Sequence, residues 1–171
     1  GATCFFSQSS RKRPLPALPT VALDGTAGQL PALKGQWLLI SVAGGACDAT
    51  CEKHLYLQRQ LREGLGKDKD RLDWVWLVPD DAPVKPELRP AIQQATVLRV
   101  DAARLAQWLV PGPGRALRDH LYVVDPLGNW MMRFPAVNLD AQVDTASAAK
   151  IKRDLERLMR ASASWDQVGR P

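Results

Sequence analysis

The chain has 171 residues, 46% hydrophobic and 24% charged, with 23 Lys and Arg against 18 Asp and Glu for a net charge of +5. This is the composition of an ordinary globular chain, long enough for one domain with a substantial core. The basic residues are scattered among acidic ones, only Arg11-Lys12-Arg13 forms a run, and no basic stripe interleaved with aromatics is present, so a nucleic-acid partner is not expected. No stretch approaches the ~18–20 apolar residues of a membrane-spanning helix.

Residues 1–17 mix Ser, Arg, Lys and Pro without periodicity and are expected to form a linker or tail. Cys4-Phe5-Phe6, followed by polar residues and Arg11-Lys12-Arg13, has the composition of the trailing edge of a removed membrane anchor or signal. A domain is expected over 18–162, with 163–171 as a C-terminal tail. It opens with a short strand and turn over Leu18–Gly25. Trp37-Leu38-Leu39-Ile40-Ser41-Val42 is a continuous apolar run stopped by Gly44-Gly45, the pattern of a strand buried on both faces. From Cys47 to Leu65 the period turns helical, with Gly64 and Gly66 at its end.

Asp73–Val78 reads as a second buried strand, closed by Pro79-Asp80-Asp81, which is expected to be a solvated turn. Residues 84–94 are expected to be helical despite Pro86 and Pro90. Thr96–Val100 follows as a third strand and Ala102–Leu109 as a short helix. Leu121–Val124 and Trp130–Phe134 flank Asp125-Pro126-Leu127-Gly128-Asn129 as a hairpin. Ala146–Ala161 is an amphipathic helix turning Ile151, Leu155, Leu158 and Met159 inward. Early βαβ units imply parallel strands and the late hairpin adds antiparallel ones. The expected fold is α/β and thioredoxin-like, a central mixed sheet flanked by helices.

The chemistry-bearing stretch is Gly44-Gly45-Ala46-Cys47-Asp48-Ala49-Thr50-Cys51-Glu52-Lys53-His54. Residues four apart on a helix stand one above the other. That spacing suits a disulfide, a redox couple, two ligands of a soft ion such as Cu(I), or simply two small buried side chains. Following a buried strand and a glycine turn, Cys47 should lie at a helix N-terminus, where the dipole favours a thiolate, although Asp48 beside it opposes that effect. Three cysteines cannot all pair within one chain, so Cys47 groups with Cys51 and Cys4 is left over. His54 is expected to be a surface or half-buried helix residue rather than a ligand. His120 stands just before the fourth core strand, beside Asp119, which could orient its imidazole. Met131 and Met132 alternate faces of a strand and do not read as a copper site.

The stretches LPTVALDGTAGQLPALKGQWLLISV, CDATC and DHLYVVDPLGNWMMRF resemble the Sco/SenC family of thioredoxin-like copper chaperones. Within it, they resemble a membrane-anchored bacterial branch associated with cytochrome c oxidase assembly. The resemblance spans roughly residues 15–162. It implies copper, as Cu(I) and in some states Cu(II), bound by Cys47, Cys51 and His120. It also implies a partner in the copper-bearing subunit of cytochrome c oxidase or in another copper-delivery protein. The place implied is the periplasmic face of the bacterial inner membrane, with an N-terminal tether.

Two departures bear on these implications. No proline lies between the thiols, where the family has Cys-Pro. His120 is five residues before Asp125, where the family's histidine stands about eight before the turn. An odd shift along a strand directs a side chain to the other face unless a bulge corrects it. The rival expectation is a thiol–disulfide oxidoreductase that keeps client cysteines reduced, with Cys47 as nucleophile and Cys51 as resolving thiol. A non-catalytic assembly scaffold with a static disulfide is the third.

Overall fold

The structure is a computed structural model, and it describes residues 3–4, 13–136, 145–166 and 169. One eight-stranded sheet runs through it in the order β1-β8-β7-β4-β5-β6-β2-β3. The strands are β1 (Thr3–Cys4), β2 (Pro19–Ala22), β3 (Ala27–Gln29), β4 (Trp37–Val42), β5 (Leu72–Val78), β6 (Thr96–Arg99), β7 (Tyr122–Val124) and β8 (Trp130–Arg133). The helices are α1 (Ala49–Gly64), α2 (Ala102–Ala106) and α3 (Thr145–Ser162). β4, β5 and β6 are parallel, while β7 joins β4, β8 joins β7 and β2 joins β6 in antiparallel pairs. This is the expected thioredoxin-like mixed sheet.

β4 is central because all six of its side chains are buried, three toward each face. Leu38, Ile40 and Val42 join Val75, Leu77, Tyr122 and Val124 in a core with α2-side residues Leu105, Trp108 and Leu109. Trp37 and Leu39 point the other way, into a core with Leu57 and Leu61 of α1 and Ile151, Leu155 and Met159 of α3. Fully burying one such aliphatic side chain contributes roughly 1.5–3 kcal/mol, so doubly covered strands dominate the stability of this fold.

Some segments differ from expectation. Residues 84–94 form a 3₁₀ segment, Pro86–Ile92, since Pro90 removes an α-helical donor. β2 turns at Gly25 (φ 89°) into β3, an exposed edge strand that has no apolar alternation to announce it. Thr3 and Cys4 pair with Arg133 and Met132 at the opposite edge. Within the stretch expected as linker, Leu15 is buried and its N–H donates to Gly128 O, while Arg13 Nη1 donates to Trp108 O. The 163–171 tail falls partly outside the described residues.

Candidate functional site

β4 delivers the chain to the thiol pair. After Val42 the backbone turns through Gly44-Gly45-Ala46, with Cys47 N–H donating to Gly44 O at 3.0 Å. Both glycines are held tightly: a Cβ on Gly44 would collide with the Asp80 carboxylate, and one on Gly45 with the Ala82 carbonyl. Cys47 itself adopts φ 46°, the only positive φ at a non-glycine among the described residues. A left-handed non-glycine costs on the order of 1–3 kcal/mol and persists only where its surroundings enforce it.

α1 starts two residues later than the apolar period implied. Asp48 is its N-cap, and Asp48 Oδ1 accepts the Cys51 N–H at 2.9 Å. Asp48 therefore occupies the helix end that was expected to favour a Cys47 thiolate. Cys47 precedes the cap and Cys51 lies in the first turn. Their sulfurs are joined in a disulfide with a Cα–Cα distance of 5.1 Å. Both residues are only 2% exposed and pack with Leu55, Trp74, Trp76, Val78, Val84, Leu88, Ile92 and Val97.

His54 departs from its expected surface or half-buried position: it is 2% exposed, on the inner face of α1. Burial lowers its pKa to about 4, helped by His120 and opposed by Asp119 and Asp48, so the ring is neutral at pH 7. Among the described residues its Nε2 finds no hydrogen-bond partner, nor does the buried Ser41 Oγ or Gln58 Oε1. Gln58 does spend its amide on the sheet, donating to Leu39 O and Val75 O.

His120 is 3% exposed and both ring nitrogens are engaged. Nδ1 lies 2.7 Å from Phe134 O and Nε2 accepts the Gly112 N–H at 2.9 Å, an arrangement that requires the Nδ1–H tautomer. Burial, chiefly, lowers its pKa, with the Phe134 hydrogen bond opposing. His120 precedes β7 as the C-cap of a 3₁₀ turn, Leu117–Asp119; its ring meets Tyr122 edge to face at 6.0 Å and lies within electrostatic reach of His54 on α1. Among the described residues no three His, Cys, Asp or Glu side chains converge as a metal-binding group. The structure thus brings Cys47 and Cys51 together and leaves His120 bound to backbone.

Asp80 is the residue whose role the sequence did not disclose. Its Oδ1 accepts from Gly45 N–H at 2.9 Å and from Ala82 N–H at 3.1 Å. The signal available was the Pro79-Asp80-Asp81 punctuation after β5, which reads equally well as a plain turn.

Helix α1 starting from a thiol-bearing turn at the end of a central parallel strand defines the class, a thioredoxin-like domain with a disulfide at the start of its first helix. The chain belongs to the family described as transmembrane-like, thioredoxin-like, C-terminal domain, whose model matches residues 37–162. No curated protein sequence matches it.

Similar solved structures include a SCO1/SenC family lipoprotein from Bacillus anthracis (TM-score 0.58, 17% identity, 87% of this chain and 98% of that one). A putative electron transfer protein from Aquifex aeolicus is similar at TM-score 0.58, 16% identity and coverage of 82% and 93%. ScoI from Bradyrhizobium japonicum, solved with copper bound, is similar at TM-score 0.50, 19% identity and coverage of 80% and 96%. The resemblance to Sco/SenC proteins thus holds at the level of the fold. Among the described residues no helix is long and apolar enough to cross a membrane.

Proposed function

We propose that this is a Sco-like domain of cytochrome c oxidase assembly, in which the reduced Cys47/Cys51 pair carries Cu(I) as cargo. The observation that supports it most is the pair itself: two cysteines already within bonding distance at the mouth of the α1 turn, in the fold of Sco/SenC proteins. One relative of that fold is described as a member of the Sco family of cytochrome c oxidase assembly proteins (TM-score 0.52).

The donor set suits the ion. Two thiolates one helical turn apart offer soft sulfur to Cu(I), which tolerates low coordination numbers. Loading requires two electrons and two protons to open the disulfide to two thiols; copper then displaces both protons. A dithiol of a partner protein is the electron source implied. His120 would join as third ligand only by releasing the Gly112 N–H from Nε2, and that engagement favours a two-sulfur site. The client would be the copper-bearing oxidase subunit or a further copper-delivery protein. The location would be the outer face of the inner membrane, with the tether N-terminal to the domain.

A second reading, thiol–disulfide exchange with a client protein, is favoured by one observation: the pair stands closed as a disulfide. In the reduced form Cys47, next to the turn, would attack a client disulfide, and Cys51 would then displace the reduced client and close the Cys47–Cys51 disulfide.

Anaerobic Cu(I) titration of the reduced chain against a competing chelator separates the two readings. A Cys4→Ser background removes the third thiol. One equivalent bound tightly, and lost in Cys47→Ser and in Cys51→Ser, supports copper carriage. Uptake no better than in the serine variants refutes it and leaves thiol exchange. His120→Ala at wild-type affinity establishes the two-sulfur site.

A further inference from the structure

A working thiol pair that is 2% exposed at both residues poses a problem of access. Reduction needs a thiolate to approach one sulfur along the S–S axis, form a mixed disulfide and expel the other sulfur as a thiolate. A second thiolate of the reductant then releases the first sulfur, completing a two-electron step.

The groups around the disulfide divide into two kinds. Leu55 lies on α1, and Trp74, Trp76, Val78 and Val97 on or beside the central strands, all rigid elements. Val84, Leu88 and Ile92 come instead from the connection between β5 and β6, irregular as far as Lys85 and then 3₁₀. This connection is tied to the thiol turn at one point. Asp80 Oδ1 takes the Gly45 N–H there, and also the Ala82 N–H, while Arg99 Nη1 donates to Asp80 O at 2.9 Å from β6. Asp80 is exposed, so the tie can be undone without opening the core. On its far side the 3₁₀ segment borders an open groove of about 540 Å³ between Arg89, Ile92, Leu23 and Asp24, which leaves room for it to shift.

We propose that residues 79–88 are a latched strap over the Cys47–Cys51 pair and that release of Asp80 from Gly45 controls entry of a reductant or partner. The proposal takes the pair as the working site of the preceding reading, but its test follows reduction alone, so a negative copper titration would leave it standing.

The test is the rate at which excess dithiothreitol reduces the disulfide of the folded Cys4→Ser chain, read by quenching, alkylation and mass spectrometry. Asp80→Ala removes both side-chain bonds, worth together about tenfold or more in the opening equilibrium. Reduction is therefore expected about tenfold faster, with a fall in urea stability no larger than those two bonds account for. Asp80→Asn keeps an acceptor oxygen and should stay within about twofold of wild type, which separates the hydrogen bond from the charge. Val84→Ala thins the strap without touching the latch and should also accelerate reduction. Equal rates in wild type and Asp80→Ala overturn the proposal. So does an equal or larger acceleration in Asp166→Ala, which lowers global stability away from the strap, since reduction would then proceed through unfolding.

Discussion

The two ends of the parallel strands treat polar groups in opposite ways. Just before β5, Arg71 is 6% exposed, yet its guanidinium is fully employed. Nε meets Asp166 Oδ2 at 3.0 Å, Nη1 meets Asp68 Oδ1 and Met159 O, and Nη2 meets Ser162 Oγ. That network ties β5 to the end of α3. From mid-sheet toward the other end, where α1 packs on the strands, Ser41 Oγ, His54 Nε2 and Gln58 Oε1 are buried with no partner among the described residues. One end is closed by satisfied charge. The other carries buried polar groups that the described residues leave unpaired, Trp74 Nε1 in the thiol cluster among them. Trp37 Nε1, unpaired at the start of β4, is the exception to this division.

The contrast can be broken by substitution. Asp166→Ala leaves a buried arginine short of its counter-charge and should cost about 3 kcal/mol in urea unfolding, the lower end for a broken buried pair because Asp68 remains. His120→Ala orphans the Gly112 N–H and Phe134 O together, and a loss of about 2 kcal/mol is expected by the same measurement.

His54 sharpens the comparison through pH. Its folded pKa, about 4, lies below the ordinary value of 6.5, so below pH 6.5 the unfolded chain takes up a proton that the folded chain refuses. Its contribution to stability is intact above pH 6.5 and lost progressively as pH falls toward 4. Between pH 7 and pH 5 this amounts to about 2 kcal/mol. Comparing unfolding at both pH values in wild type and His54→Phe isolates it, and the variant should lose correspondingly less. Ser41→Ala should change stability least, within about 1 kcal/mol and in the stabilising direction, because it removes an unpaired buried hydroxyl. A large loss there would mean that the hydroxyl is used.

Strands β4 and β5 and helix α3 were legible because a continuous apolar run and a helical period are dictated by burial alone. The disulfide partners followed from their spacing and from the leftover Cys4. The N-cap was also readable, since Asp before a helical period is a start signal, but the apolar spacing of Cys47 and Cys51 drew the helix two residues too early. The burial of His54 was not readable: three residues past Cys51, it sits on a face that periodicity marks as inner, yet a histidine gives no hint of whether it is satisfied there. Nor could the sequence reveal Asp80, whose function depends on a contact 35 residues away with Gly45. Alternation was no guide to His120, which precedes β7 in a 3₁₀ turn and spends both ring nitrogens on backbone, a pairing that depends on contacts with Gly112 and Phe134.

The central claim, that the thiol pair is the working centre and Cu(I) its cargo, is tested most directly by titrating the same Cys4→Ser chain in two redox states. The fully reduced form should take one equivalent of Cu(I) from a competing chelator, and the Cys47–Cys51 disulfide form none. Equal uptake by both forms, or none by the reduced one, would contradict the account.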